Sequence, residues 1–384
     1  MNAASTLSPS PSPPSPSSPS RPSRLTFADM SVQTWAMIVA AYRELNARKL
    51  FWVALALNVV VILVIAAVGI DEEGISVLGY DLQIPGVTSK LFPPADFYKL
   101  MIENLGVGIW LAWLSTILAL LSTSSMFPDV AAGGVDTMLS KPIGRARLFL
   151  TTFACGLLFS TLQVLAFALM AFLLLGIRAG AWEPGVFVAV PLVVALFSYL
   201  FCLQAVVGFI TRSAVASVIV TLLFWILVFV VDLGESITLF QRTASRLECD
   251  MVQARLDTMK GDGGRETAEK LLSEAQTRLD RWALANDISL GIKTLLPKTS
   301  ETAQLTRRAL AISAGIGQDP DAEQEMRVDE NGILQRTRAN RRRVEAEVRK
   351  ELDRRTVSWV VGTSLAFEAV VLSIGLVYFR RRDY

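Results

Sequence analysis

Two features of the sequence carry residue types that could do more than build a scaffold. The first is the run from Phe127 to Arg147, in which Asp129, Asp136, Ser140, Lys141, Pro142 and Arg145 fall within one polar, turn-prone stretch. The second is Glu368, a single carboxylate in the middle of an otherwise apolar segment. The chemistry open to the first is docking: carboxylates, a hydroxyl and cations on a shaped loop offer hydrogen bonds and ion pairs to a partner's groove. Gly133 and Gly134 break any helix before it. Pro142 suits the first turn of the next helix, where its missing N–H has no partner to lose. The plainer reading is that Lys141, Arg145 and Arg147 only anchor topology. An ionised carboxylate such as Glu368 must face an interior, be protonated, or pair. It then lines a substrate path or locks two states, or it is a protonated carboxyl held by Gln163, Gln204 or a Ser or Thr of a neighbouring segment.

The remaining inventory argues against catalysis. There is no histidine, so the commonest general base and metal ligand is missing. Cys155, Cys202 and Cys249 are scattered, with neither a disulfide framework nor a metal-ligand spacing. No Gly-x-x-x-x-Gly-Lys-[Ser/Thr] loop is present, so ATP hydrolysis by that mechanism is excluded. No cofactor is implied, and a net charge of +2 gives no reason to expect a nucleic-acid partner.

The elements that must position these residues are apolar. Of the chain, 52% is hydrophobic and mean hydropathy is +0.44, too high for an ordinary soluble protein. Residues 1–34 form a Ser/Pro-rich tail, expected to be disordered and lacking the layout of a secretory signal. Trp35 to Leu50 has a helical pattern ending in Arg43, Glu44, Arg48 and Lys49, and predicts an amphipathic helix on the membrane surface. Six apolar runs then follow, Phe51–Ile70, Leu105–Met126, Leu148–Ile177, Phe187–Ile210, Ala214–Val231 and Val357–Phe379. Each is about long enough to cross a bilayer of ~30 Å. The fold expected is an all-α membrane protein with six transmembrane helices, its first five spans within a membrane domain of residues 35–232. Asp71 to Glu103, net acidic and punctuated by Pro85, Pro93 and Pro94, reads as an external loop. Arg43, Arg48, Lys49, Lys141, Arg145, Arg147, Arg212 and Arg380 to Arg382 fall on the opposite side, so both termini are expected in the cytoplasm.

Residues 233–356 are different material, holding 22 of the 37 Lys and Arg and 21 of the 35 Asp and Glu. That density makes them a water-soluble insertion between spans five and six, and five preceding spans place it outside. Phe240, Ala244, Leu247, Met251 and Ala254 keep helical spacing, as do Ala268, Leu272, Ala275, Leu279 and Trp282. With Gly261 to Gly264 between them, they predict an antiparallel helical hairpin packed seam to seam. A third helix is expected near 335–355, with Arg341 to Arg343 on its solvated face. Pro297, Gly315, Gly317 and Pro320 predict irregular connections. Residues 357–384 hold span six and a cytoplasmic C-terminus.

With that layout in place, the chain resembles the membrane subunit, or permease, of type-2 ATP-binding-cassette (ABC) transporters. The run Gly134-Val-Asp-Thr-Met-Leu-Ser-Lys-Pro-Ile-Gly-Arg-Ala-Arg-Leu148 is similar to that family's segment between spans two and three. The finish Tyr378-Phe-Arg-Arg-Arg-Asp383 is similar to its aromatic-basic ending. The six-span layout, with a surface helix first and the largest loop before span six, also fits. The resemblance covers roughly residues 35–232 and 357–384. It implies a bacterial cytoplasmic-membrane permease, homodimeric or paired with a similar subunit, acting as an exporter and driven by a separate ABC ATPase. Asp129, Asp136, Ser140, Lys141, Pro142 and Arg145 would form the ATPase-contact loop. The long insertion exceeds the family's usual external elements and leaves another reading open: a mechanotransmission subunit, moving its hairpin against an envelope partner without transport.

Overall fold

Among the described residues, six helices of the computed structural model are long and apolar enough to cross a membrane. The structure describes residues 39, 49–71, 74–77, 80–82, 93–131, 145–258, 264–313 and 332–381. The predicted surface helix at Trp35–Leu50 therefore lies almost wholly outside the described residues. The first span is α1, Lys49–Ala67. It is apolar all round and turns Trp52, Val59, Val60, Leu63 and Val64 outward, a surface that lipid rather than water solvates.

The segment after α1 was expected as a loop, but its chain pairs into a small antiparallel sheet. Strands β1 (Val68–Asp71), β2 (Gly74–Val77) and β3 (Tyr80–Leu82) pair in sequence order, with Ile70 opposite Ile75 and Ile75 opposite Leu82. The second span starts earlier than its apolar run, at α2 (Pro94–Met101), with Pro94 at its first turn. It then widens into a π-helical stretch, Ile102–Ser115, before α3 (Thr116–Thr123) and the short α4 (Met126–Ala131). The Thr116 hydroxyl caps the end of this stretch by donating to the Leu111 carbonyl five residues back at 3.0 Å.

Helices α5 (Arg145–Arg178) and α6 (Ala189–Thr211) follow, joined through a 3₁₀ turn at Pro184–Val188. Arg212 ends α6 in the left-handed region at φ 53°, its N–H donating to the Gly208 carbonyl at 3.0 Å. Helix α7 (Ala214–Thr258) does not stop at the predicted end of span five. It runs 45 residues without interruption, about 67 Å, from the membrane domain into the insertion. Helix α8 (Arg265–Leu295) returns antiparallel to it, so the predicted hairpin exists and is rooted in a span. Ala268 and Ala275 of the α8 stripe are buried, and Arg278–Glu248 (2.8 Å) and Arg242–Asn286 (3.1 Å) pin the two arms. The apolar stripe foreseen on α7 lines a cleft of about 750 Å³ shared with α10 (Gly332–Asp353), whose Val344 is buried. Helix α11 (Val357–Arg381) is the sixth span.

Between α8 and α10 lies a helix where irregular chain was expected. Helix α9, Thr299–Ser313, packs on α6, on the π-helical stretch and on the 3₁₀ turn. Its buried stripe is Thr299, Thr302, Thr306 and Leu310. The hydroxyls of Thr302 and Thr306 donate to the carbonyls four residues back, at 2.8 Å each, so polar side chains can occupy a packed face. Part of the insertion thus belongs to the membrane domain's own packing.

The core has two layers. One is aromatic and joins the ends of α4, α5, α6 and α11 through Phe127, Phe149, Phe209 and Phe379. The other, around Ile65, Phe97, Trp110, Phe167 and Val186, lies on the side of the sheet and takes in Leu310 of α9.

A candidate functional site at the root of the hairpin

The densest buried chemistry lies where α7, α8, α9 and the start of α11 meet. Asp232 and Glu235 stand one turn apart on α7, just past its apolar half. Lys293 near the end of α8 reaches both, at 3.1 Å to Asp232 and 3.0 Å to Glu235, and also contacts Glu301 in the first turn of α9. Arg355, two residues before α11, pairs with the same Glu235 and bonds Glu301 at 2.9 Å. Ser300 donates to Asp232 at 2.6 Å.

Lys298 completes the group. Its side chain is fully buried, with Nζ donating to Thr363 at 2.7 Å and lying 4.2 Å from the centre of the Trp359 ring. Its backbone N–H donates to Ser364 at 3.0 Å. Three carboxylates face three cations, so the formal charge sums to zero, as a buried ionic group requires. Burial works against the Lys293 ammonium, but Glu301, Asp232 and Glu235 outweigh it and hold its pKa above the ordinary lysine range. For Lys298 burial prevails: Glu301 opposes the shift, while Lys293 and Arg355 add to it, and its pKa falls below that range.

This cluster connects the hairpin to span six and to the wedge helix α9 in one network. Its partners stand 58 and 120 residues apart, beyond any periodic signal. The available hint was positional: every charged member lies within a few residues of a span end or of Pro297.

Glu368 sits deeper, on α11. It is buried, faces the bundle, and accepts a hydrogen bond from Ser198 of α6 at 2.7 Å. Gln204 donates to the Leu120 carbonyl at 2.7 Å, and both side-chain polar atoms of Gln163 are buried without a hydrogen-bond partner. A serine of a neighbouring span is therefore the partner described for Glu368. Tyr199 stands near Glu368, Thr302 and Ser364, but its hydroxyl is buried without a hydrogen-bond partner, so Glu368 and the cluster are neighbours through packing and not through a hydrogen-bonded line.

Of the loop residues singled out from the sequence, Asp136, Ser140, Lys141 and Pro142 lie outside the described residues. Asp129 is exposed on α4, and Arg145 opens α5. The structure does bring the flanks of that loop together with the end of span six: Phe127 and Phe149 lie 5.2 Å apart, and Phe149 and Phe379 6.0 Å.

Fold and site define a multi-pass helical membrane protein whose insertion is tied by a buried ionic cluster to its spans. No family model, curated protein or solved structure matches the chain.

Proposed function

We propose that the chain is the membrane-spanning subunit of an ATP-driven transporter of the ABC type, an exporter energised by a separate ATPase subunit. The observation that carries this reading is the Leu139-Ser-Lys-Pro-Ile-Gly-Arg145 run, with its flanks packed against the Phe379 end of span six. A partner pressing on that loop would press on α5, α6 and α11 together. The basic residues around these ends support a cytoplasmic position for this face, where ATP is available, and the resemblance supports a bacterial inner membrane. The subunit acts as a homodimer or with a paired permease.

A second reading is favoured by the unbroken course of α7: a mechanotransmission subunit, whose output is hairpin movement against an envelope partner. Co-purification with an ABC ATPase tests the first premise, with Lys141→Ala/Arg145→Ala expected to weaken recovery. Recovery of no such ATPase, together with unchanged partners on altering the loop, overturns it. The two outputs separate on shortening the hairpin between Arg246 and Trp282, which leaves Asp232, Glu235, Lys293 and α9 in place. Export survives that deletion and transmission does not.

A further inference from the structure

The outward face of α7 does not turn polar where the apolar half of the helix ends. Val215, Ile219, Leu223, Ile226 and Val230 form one exposed stripe at spacings of three and four, and Leu233 and Ile237 continue it without a polar break. Helix α8 carries a matching stripe at its membrane-proximal end. Leu284, Ile288, Ile292 and Leu295 fall within one narrow face, and each is at least half exposed. The pairings Lys293–Glu235 and Arg242–Asn286 set these residues level with the stretch of α7 around 233–244. Two arms of a soluble hairpin have no reason to expose six large aliphatic side chains at their root.

Length decides the occupant. From Ala214 to the level of Leu295 is about 29 Å of helix, the thickness of the hydrocarbon core. From Ala214 to the level of Leu284 is about 45 Å, the thickness including the headgroup layer. Within the headgroup part of that interval Arg242 and Asp287 form an exposed ion pair at 3.8 Å, and above it α8 presents Arg281, where the charged character of the insertion resumes. We infer that the root of the hairpin is immersed in the lipid leaflet on its own side, with residues 284–295 of α8 lying against lipid through the interfacial zone. The occupant is lipid because the stripe continues the lipid-facing surface of the fifth span. The inference rests on the membrane-spanning architecture and on no particular partner or transport activity.

The test is site-directed spin labelling of the full chain reconstituted in vesicles, with Cys155, Cys202 and Cys249 replaced by alanine. Labels at 284, 288, 292 and 295 are compared with one at 274 for collision with oxygen and with a water-soluble nickel chelate. Lipid contact gives an oxygen-to-nickel ratio that rises steadily from 284 to 295, across about 16 Å of helix, while 274 stays nickel-dominated. Nickel-dominated collision at all four sites overturns the inference in favour of water. Low collision with both reagents overturns it in favour of a second copy or another protein. Photolabelling of the unaltered protein from a carbene-bearing acyl chain, followed by peptide mapping, reads the same lipid contact without substitutions. Adducts within 284–295 are expected, and their restriction to the six spans refutes it.

Discussion

Replacing Lys293 with methionine nearly keeps the length of the side chain and removes the only cation, among the described residues, that touches Asp232, Glu235 and Glu301 together. The Lys293 side chain is 5% exposed and the three carboxylate side chains no more than 8%, so water cannot replace the lost charge. Removing one partner of a buried ion pair costs about 3–5 kcal/mol, because the other charge is left uncompensated. Here three carboxylates would face only Arg355 and Lys298, which puts Lys293→Met in that range. Adding Glu301→Gln restores a balance of two acids and two bases. The cost of the double variant is then expected to fall short of the sum of the two single costs by about 1–3 kcal/mol of coupling. Unfolding in mixed micelles with increasing SDS, followed by tryptophan fluorescence, measures all four corners of the cycle. A Lys293→Met cost within about 0.5 kcal/mol of zero, the range of an ordinary surface change, would refute the view that the cluster binds the hairpin to the spans.

Three further outcomes follow from the geometry. Because the Lys293 pKa is raised in the folded protein, its stabilisation is complete below the ordinary lysine value of about 10.4 and is lost as pH rises through the raised value. The unfolding midpoint should therefore be level in this respect at neutral pH and fall in strong alkali, and Lys293→Met should lack that component of the fall. Ser198→Ala leaves the Glu368 carboxyl without its hydrogen-bond donor and should cost about 1–3 kcal/mol, whereas Glu368→Gln retains an acceptor and should cost about 1 kcal/mol or less. Under the proposed function Glu368→Gln lowers substrate-stimulated ATPase activity of the assembled transporter, and undiminished activity removes Glu368 from the mechanism. At Gly156 an added Cβ would stand 2.2 Å from the Phe201 ring, which is fully buried and stacked on Phe153 and Phe197. Gly156→Ala should lower stability by about 1–3 kcal/mol in the same SDS titration, and a neutral result would mean that the aromatic layer is loosely packed.

The spans were legible because a helix that crosses a bilayer needs a long apolar run in sequence, and six such runs are present. The fifth apolar run ends at Val231, but its helix does not, for a physical reason. Asp232 and Glu235 read as the boundary of the membrane domain, but nothing near them breaks a helix except Gly234, which a helix tolerates, so α7 continues. Helix α9 escaped notice because its buried face is built from threonines, which look polar until the i−4 carbonyls that satisfy them are in place. The small sheet after α1 is too short for a period-two pattern to stand out between Asp71, Glu72, Glu73 and Asp81. The ionic cluster was out of reach, since its members are unremarkable charges whose meaning comes only from the fold. Glu368 was the opposite case, conspicuous because its surroundings are apolar, and its interior orientation followed from solvation cost alone.

These parts share one mechanical property. Helix α7 is continuous from the bilayer into the hairpin, so its two halves cannot tilt independently without breaking backbone hydrogen bonds. Helix α11 is fixed to the hairpin's root through Arg355 and through the bonds of Lys298 to Thr363 and Ser364, and fixed to α6 through Glu368 and Ser198. At its far end Phe379 packs on Phe149 at the start of α5 and on Phe209 near the end of α6. A displacement applied at these ends therefore has two stiff routes toward the cluster, one along α11 and one along α6 to α9. Both routes end on Glu301, which Lys293 grips from the end of α8 and Arg355 from the approach to α11. Cutting either grip should uncouple the hairpin from α6 and α11 while α7 still carries it from the fifth span, and that selective loss is what an arrangement built only for stability would not produce.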